Sequence, residues 1–152
     1  MKKIKLIITT LSVFIIMFLI VTPKTFAYGW GVSKNDRHQT PDVGFYKNEL
    51  EGTDSYYVGN TNEKEIYLTF DAGYDNGVLQ KILDILKEKN VKSTFFVTGD
   101  FLVRQEDLIK RIVNEGHIIG NHTWNHKNIT KINYDKLKEE IEKVEDKYYS
   151  IT

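Results

Sequence analysis

From Glu65 onward the chain switches between two spacings of apolar residues. Ile66, Leu68 and Phe70 alternate with Tyr67, Thr69 and Asp71, the two-residue period of a strand, and Asp71 falls at its carboxyl end. Beyond Gly77 the period changes. Val78, Leu79, Ile82, Leu83 and Leu86 share one face at helical spacing, with Lys81, Asp84, Lys87 and Glu88 on the other. A second strand is predicted over residues 92–98, and a second helix over residues 105–115 through Leu108, Ile109, Ile112 and Val113, stopped by Gly116 as a left-handed cap. Residues 117–121 make a third strand. A third helix starts at Asn133 as its cap and carries Leu137, Ile141, Val144 and Tyr148 on one stripe.

Strand and helix repeated three times at these lengths mean crossover connections and a parallel sheet, so the fold class is α/β. Spacing alone leaves an open sheet and a rolled barrel equally available. In both, ligands bind beyond the carboxyl ends of the strands. Ahead of these units, residues 28–64 keep no sustained period and are rich in Asn, Asp, Gly and Tyr, which predicts an irregular arm. Its aromatics, Tyr28, Trp30, Phe45, Tyr46, Tyr56 and Tyr57, suit packing across one end of the domain, with sugar stacking as the alternative.

The first 27 residues differ in kind. Lys2, Lys3 and Lys5 precede an apolar run from Leu6 to Val21, and Thr25-Phe26-Ala27 ends in small residues of the kind a signal peptidase accepts. An export signal is expected, cleaved or kept as an anchor, because the run is short for a spanning helix of about 20 residues. Either outcome exports the remainder, and the membrane is met only through this segment. Removing its four lysines and no acids leaves 17 basic against 21 acidic residues, so the exported part has no basic excess for nucleic acid. The 152-residue chain has no cysteine, which excludes disulfides, thiolate metal sites and a cysteine nucleophile, and leaves His and carboxylates as metal ligands.

Two clusters carry candidate chemistry. Asp71-Ala72-Gly73-Tyr74-Asp75-Asn76-Gly77 places two carboxylates and an amide in one tight turn; by itself it also reads as a capped strand-to-helix turn. His122-Thr123-Trp124-Asn125-His126 follows the third strand, and histidines four apart can converge on one ion. Both clusters are expected at the same end of neighbouring strands. Two His and a carboxylate leave an open position for water on a divalent ion, Zn²⁺ foremost, which suits hydrolysis of an amide or ester. Asp71, last on a rigid strand, is the candidate for taking the proton from that water. His117 is expected to be a hydrogen-bonded histidine near a helix carboxyl end, and His38 a surface residue.

Thr69-Phe70-Asp71 with its glycine turn, Thr94-Phe95-Phe96, and Glu115-Gly116-His117 running through Gly120-Asn121-His122 to His126 resemble the NodB-type polysaccharide deacetylases, carbohydrate esterase family 4. The Thr-Phe-Asp-Ala-Gly-Tyr variant and the Tyr28-Gly29-Trp30-Gly31-Val32 arm look like the spore-cortex branch, which deacetylates N-acetylmuramic acid in peptidoglycan on the way to muramic δ-lactam. The resemblance implies a distorted (β/α) barrel whose first three β/α units are residues 65–152, behind a 28–64 arm and a 1–27 signal or anchor. It implies Asp71 as catalytic base, His122 and His126 as metal ligands, and peptidoglycan or a related N-acetylated glycan as partner. Most members carry a metal-binding Asp directly after the base. Ala72 stands there, so either a neighbour such as Asp75 or Asn76 contributes or solvent does, with Asp75 as the candidate third ligand.

Family domains run to roughly 180 to 200 residues, an ordinary domain size, against about 88 from Glu65 to Thr152. The later Arg-Pro motif, the acetyl-pocket motif and the Leu-x-His segment of the general acid are not in this sequence. The expectation is a poorly stable polypeptide with little deacetylase activity of its own. Two other readings are a non-catalytic wall-associated glycan binder, and a deacetylase of a different N-acetylglucosamine polysaccharide.

Overall fold

The computed structural model describes residues 39–44 and 46–152. The expected export segment 1–27, and the part of the arm that holds Tyr28, Trp30 and His38, lie outside the described residues, as does Phe45. The chain divides between Val58 and Gly59 into two units. In the first, the arm expected to be irregular contains a short helix, α1 (Tyr46–Leu50). Gly44, at φ 58°, turns the chain into it, and the Asp42 carboxylate accepts a hydrogen bond from the Gly44 N–H at 2.8 Å. Among the described residues no helix is long and apolar enough to cross a membrane.

The second unit has the expected α/β class. Three parallel strands, β1 (Thr69–Ala72), β2 (Thr94–Val97) and β3 (Ile118–Asn121), lie side by side in chain order. Helix α2 (Leu79–Glu88) joins β1 to β2, and α3 (Gly99–Arg104) with α4 (Glu106–Asn114) joins β2 to β3. The chain then makes a 3₁₀ turn at Ile129–Lys131 and the long helix α5 (Tyr134–Ile151). All three strands are shorter than their patterns suggest. Residues 65–67 run past the start of β2, where there is no ladder to join, and Ile66 is 86% exposed despite its place in the alternation.

The strand period sorts the sheet into two faces. Phe70, Ala72, Phe95, Val97 and Ile119 turn to the helices, where Leu83, Leu86, Phe101, Leu102, Ile109, Ile112 and Val144 complete the core. Phe95 has no exposed surface and stacks on Phe70 at 5.0 Å; burial of such a side chain contributes about 1.5–3 kcal/mol. Asp71, Phe96 and Gly120 are register partners across the other face. Gly120 is required there: a Cβ at that position would overlap the Phe96 ring.

Helix α3 was not foreseen. Thr98 caps it, its hydroxyl accepting from the Phe101 N–H at 3.4 Å, and the helix buries its own Phe101 and Leu102. Gly116 has the left-handed conformation expected of it, φ 78°, and Asn133 caps α5 by accepting from the Lys136 N–H at 2.9 Å. The stripe of α5 holds one surprise. Val144 is buried as the spacing requires, but so is Glu140, which stands three residues after Leu137 and four before Val144 with 1% of its surface exposed.

Candidate active site

Asp71 is the third residue of β1, and His122 follows β3 directly. The two strands are not neighbours, as the sequence reading had them, since β2 runs between. Their side chains nevertheless meet. Asp71, Gly120 and His122 belong to one face by the period of two, and the chain leaves β2 through Thr98, the cap of α3, between them. His122 Nε2 is 3.8 Å from Asp71 Oδ2, and the His122 and His126 rings pack edge to face at 4.6 Å. These groups open into a cavity of about 420 Å³ that Gly73, Tyr74, Thr98, Asp100, Trp124 and Asn125 also line.

Two turns are tied together at its floor. The Thr98 N–H donates to the Ala72 carbonyl at 3.2 Å, and its hydroxyl donates to the Gly73 carbonyl at 3.3 Å. The Gly99 N–H is shared between the Thr123 and Trp124 carbonyls at 3.3 and 3.1 Å. Glycine is needed at 99, because a Cβ would strike the Trp124 ring and come within 2.8 Å of its carbonyl oxygen.

The histidine loop itself is strained. Thr123 and His126 both have left-handed backbones, φ 64° and 51°, at about 1–2 kcal/mol for each non-glycine residue. Side chains hold it in place. Asn121 accepts from the Thr123 N–H and donates to the Ile141 carbonyl of α5, both at 3.0 Å. The Trp124 N–H donates to the Glu140 carbonyl at 3.0 Å. The Glu140 carboxylate accepts from the Asn125 N–H at 2.6 Å and from its side-chain amide at 2.7 Å, with Lys127 Nζ 3.9 Å away. Burial pushes the Glu140 carboxyl up, but the two Asn125 hydrogen bonds and the charges of Lys127 and Lys136 outweigh it and hold the group below the ordinary carboxylate value.

Three of the four site residues expected from the sequence, Asp71, His122 and His126, therefore share one cleft. Asp75 is not among the residues lining it. Its Oδ1 accepts from the Gly77 N–H at 3.0 Å and the Leu79 N–H at 3.3 Å, ordering the turn into α2. Among the described residues no three His, Asp or Glu side chains are grouped closely enough to hold an ion by themselves. The donors present fit a two-histidine half-site, with imidazole nitrogens suited to Zn²⁺ and coordination left over for other oxygen ligands. Sequence reasoning missed Thr98, Trp124 and Glu140. A visible signal existed for the last: a carboxylate on an otherwise apolar helical stripe.

A parallel sheet thus carries a His, His and carboxylate cleft at the carboxyl ends of its strands. Residues 58–152 match the family model for polysaccharide deacetylases. The chain belongs to the polysaccharide deacetylase family. It is 49% identical over 124 residues to the peptidoglycan-N-acetylmuramic acid deacetylase PdaA of Bacillus subtilis, a match covering 81% of this chain and 47% of PdaA. The solved structure of B. subtilis PdaA, a family 4 carbohydrate esterase, superposes with a TM-score of 0.76 at 47% identity over 86% of this chain and 56% of that one. A family 4 carbohydrate esterase from Bacillus anthracis gives 0.72 at 44% identity, covering 82% and 56%. The chain spans about half the length of the curated relatives it matches.

Proposed function

We propose that this chain carries the catalytic base and metal half-site of an exported peptidoglycan deacetylase that removes the acetyl group from N-acetylmuramic acid. The observation that carries the reading is the 3.8 Å approach of His122 Nε2 to Asp71 Oδ2 from strands separated by a third. His122 and His126 are the residues that would hold a divalent ion, Zn²⁺ first. Such an ion would polarise the acetamide carbonyl and acidify a water molecule.

Asp71 is the proton acceptor. Its carboxylate takes a proton from water as the water oxygen bonds to the acetyl carbon; the carbon–nitrogen bond then breaks as the Asp71 carboxyl hands that proton to the nitrogen, and a free amine and acetic acid, which ionises to acetate, leave. The cavity suits one sugar ring, with Trp124 and the exposed ring of Tyr74 as apolar walls and Asp100 and Asn125 as polar ones. The similarity to PdaA, which runs over 124 residues against 90 for a peptidoglycan-N-acetylglucosamine deacetylase of Bacillus cereus at 47% identity, supports N-acetylmuramic acid over N-acetylglucosamine. In this reading residues 1–27 deliver the chain to the wall, residues 28–64 form the arm, and residues 65–152 carry the chemistry.

The test is Zn²⁺ titration calorimetry on the full chain and its His122→Ala variant, with acetate release from N-acetylated peptidoglycan. Zn²⁺ affinity lost in the variant is the expected result. Equal Zn²⁺ affinity in the two proteins, or a His122→Ala variant that keeps the full acetate release of an active wild-type chain, would remove the reading.

A further inference from the structure

The strained histidine loop is anchored on a helix residue fifteen positions beyond Asn125. We propose that Glu140 is the positioning residue of this loop: its carboxylate, taking both N–H donors of Asn125, fixes the backbone from which the two imidazoles converge. How tightly those imidazoles hold an ion follows from it, and that second half rests on the function proposed above; the first half does not.

The choice of residue argues for this role. Packing alone at position 140 calls for an apolar side chain, since its stripe neighbours are Leu137, Ile141 and Val144. A buried carboxylate is costly unless its acceptor capacity is filled. Here both oxygens are used, Oε2 by the Asn125 N–H and Oε1 by its amide. Two acceptors on one side chain match two donors on one residue, an arrangement that defines Asn125's backbone and side chain together. Left-handed Thr123 and His126 stand on either side of the clamped pair Trp124-Asn125. Strained backbone of this kind persists only where its surroundings over-determine it.

The substitution Glu140→Gln keeps the shape but offers one acceptor and one NH₂ group, so it retains one bond and sets N–H against N–H at the other. The double variant E140Q/N125D exchanges the roles. The new side-chain NH₂ on the helix then donates to the new carboxylate in the loop, the side-chain carbonyl on the helix still accepts from the backbone N–H of the loop residue, and net charge is unchanged. The experiment uses the full chain as wild type, E140Q and the double variant. It measures amide hydrogen exchange at positions 124 and 125 by NMR, Zn²⁺ affinity by calorimetry, and far-UV circular dichroism. E140Q is expected to speed exchange at position 125 by about tenfold or more and to weaken Zn²⁺ binding, with helix content unchanged, and the double variant to restore both. Wild-type exchange in E140Q, or a double variant no better than E140Q, overturns the proposal. A wild-type chain that binds no Zn²⁺ sinks the metal reading instead, and the exchange rates still decide the role of Glu140.

Discussion

The two ends of the three-stranded sheet each hold histidine beside carboxylate, and they treat it in opposite ways. At the amino end, His117 is buried. Its Nδ1 accepts from the Ser93 N–H at 3.2 Å, and Nε2 faces Glu115 at 4.0 Å without a hydrogen-bond partner among the described residues. Lys92 donates to the Glu115 carbonyl, and Arg111 pairs with the Glu115 carboxylate at 2.9 Å. At the carboxyl end, Asp71 keeps 71% of its side chain exposed and His122 and His126 open into a cavity. The amino end obtains its order from burial and ion pairs. The carboxyl end leaves Asp71, His122 and His126 accessible, and obtains order from hydrogen bonds to helix α5 behind the histidine loop. Exposed groups can meet a substrate, so the rigidity they need has to be supplied from behind.

The sharpest way to break this contrast is Asp71→Asn. Loss of the proposed base is expected to lower any acetate release the chain shows by about 100- to 10,000-fold while leaving the thermal midpoint unchanged, because the side chain packs against nothing in the core. A midpoint shift of several degrees would show that the carboxyl end relies on Asp71 for structure.

Gly99→Ala comes next. Its methyl group must displace Trp124, so a loss of about 1–3 kcal/mol is expected in chemical denaturation, together with a perturbed histidine loop in NMR spectra. Gly116→Ala strains the left-handed cap at the opposite end. About 1 kcal/mol should be lost by the same measurement, with the His122 and His126 signals unmoved. If both substitutions disturb the histidine loop alike, the two ends are not independent.

The smallest effect is expected from pH. Burial, followed by the positive charges of Lys92 and Arg111 against the opposing Glu115, holds His117 below its ordinary pKa of 6.5. Between the folded and unfolded values the unfolded chain binds more protons, so this contribution is complete above 6.5 and is lost as pH falls through the lower folded value. In His117→Asn the denaturation midpoint should therefore vary less between about pH 7 and pH 5 than in the wild type. An unchanged slope would mean that His117 does not carry the dependence.

Much of the fold was legible because it depends on local repetition. The spacing of Leu79, Leu83 and Leu86, of Leu108, Ile109 and Ile112, and the cap at Asn133 are properties of single elements, and the structure uses them as expected. Helix α3 escaped notice because six residues are too few to display a helical period, although Thr98 offered a cap. The convergence of Asp71, His122 and His126 followed from the general rule about strand ends, but the intervening β2 did not.

Alone, the amino-acid order determined the α/β class, the turn that begins at Asp71 and the histidine pair, since periodicity and spacing are written along the chain. Only the tertiary structure decided that Asp75 serves the turn into α2, that β1 and β3 meet across β2, and that Glu140 grips the histidine loop. Those facts depend on which distant segments pack together: Asn125 and Glu140 are fifteen residues apart in sequence, and only the docking of α5 against the β3 end brings the carboxylate within 2.6 Å of the amide it holds.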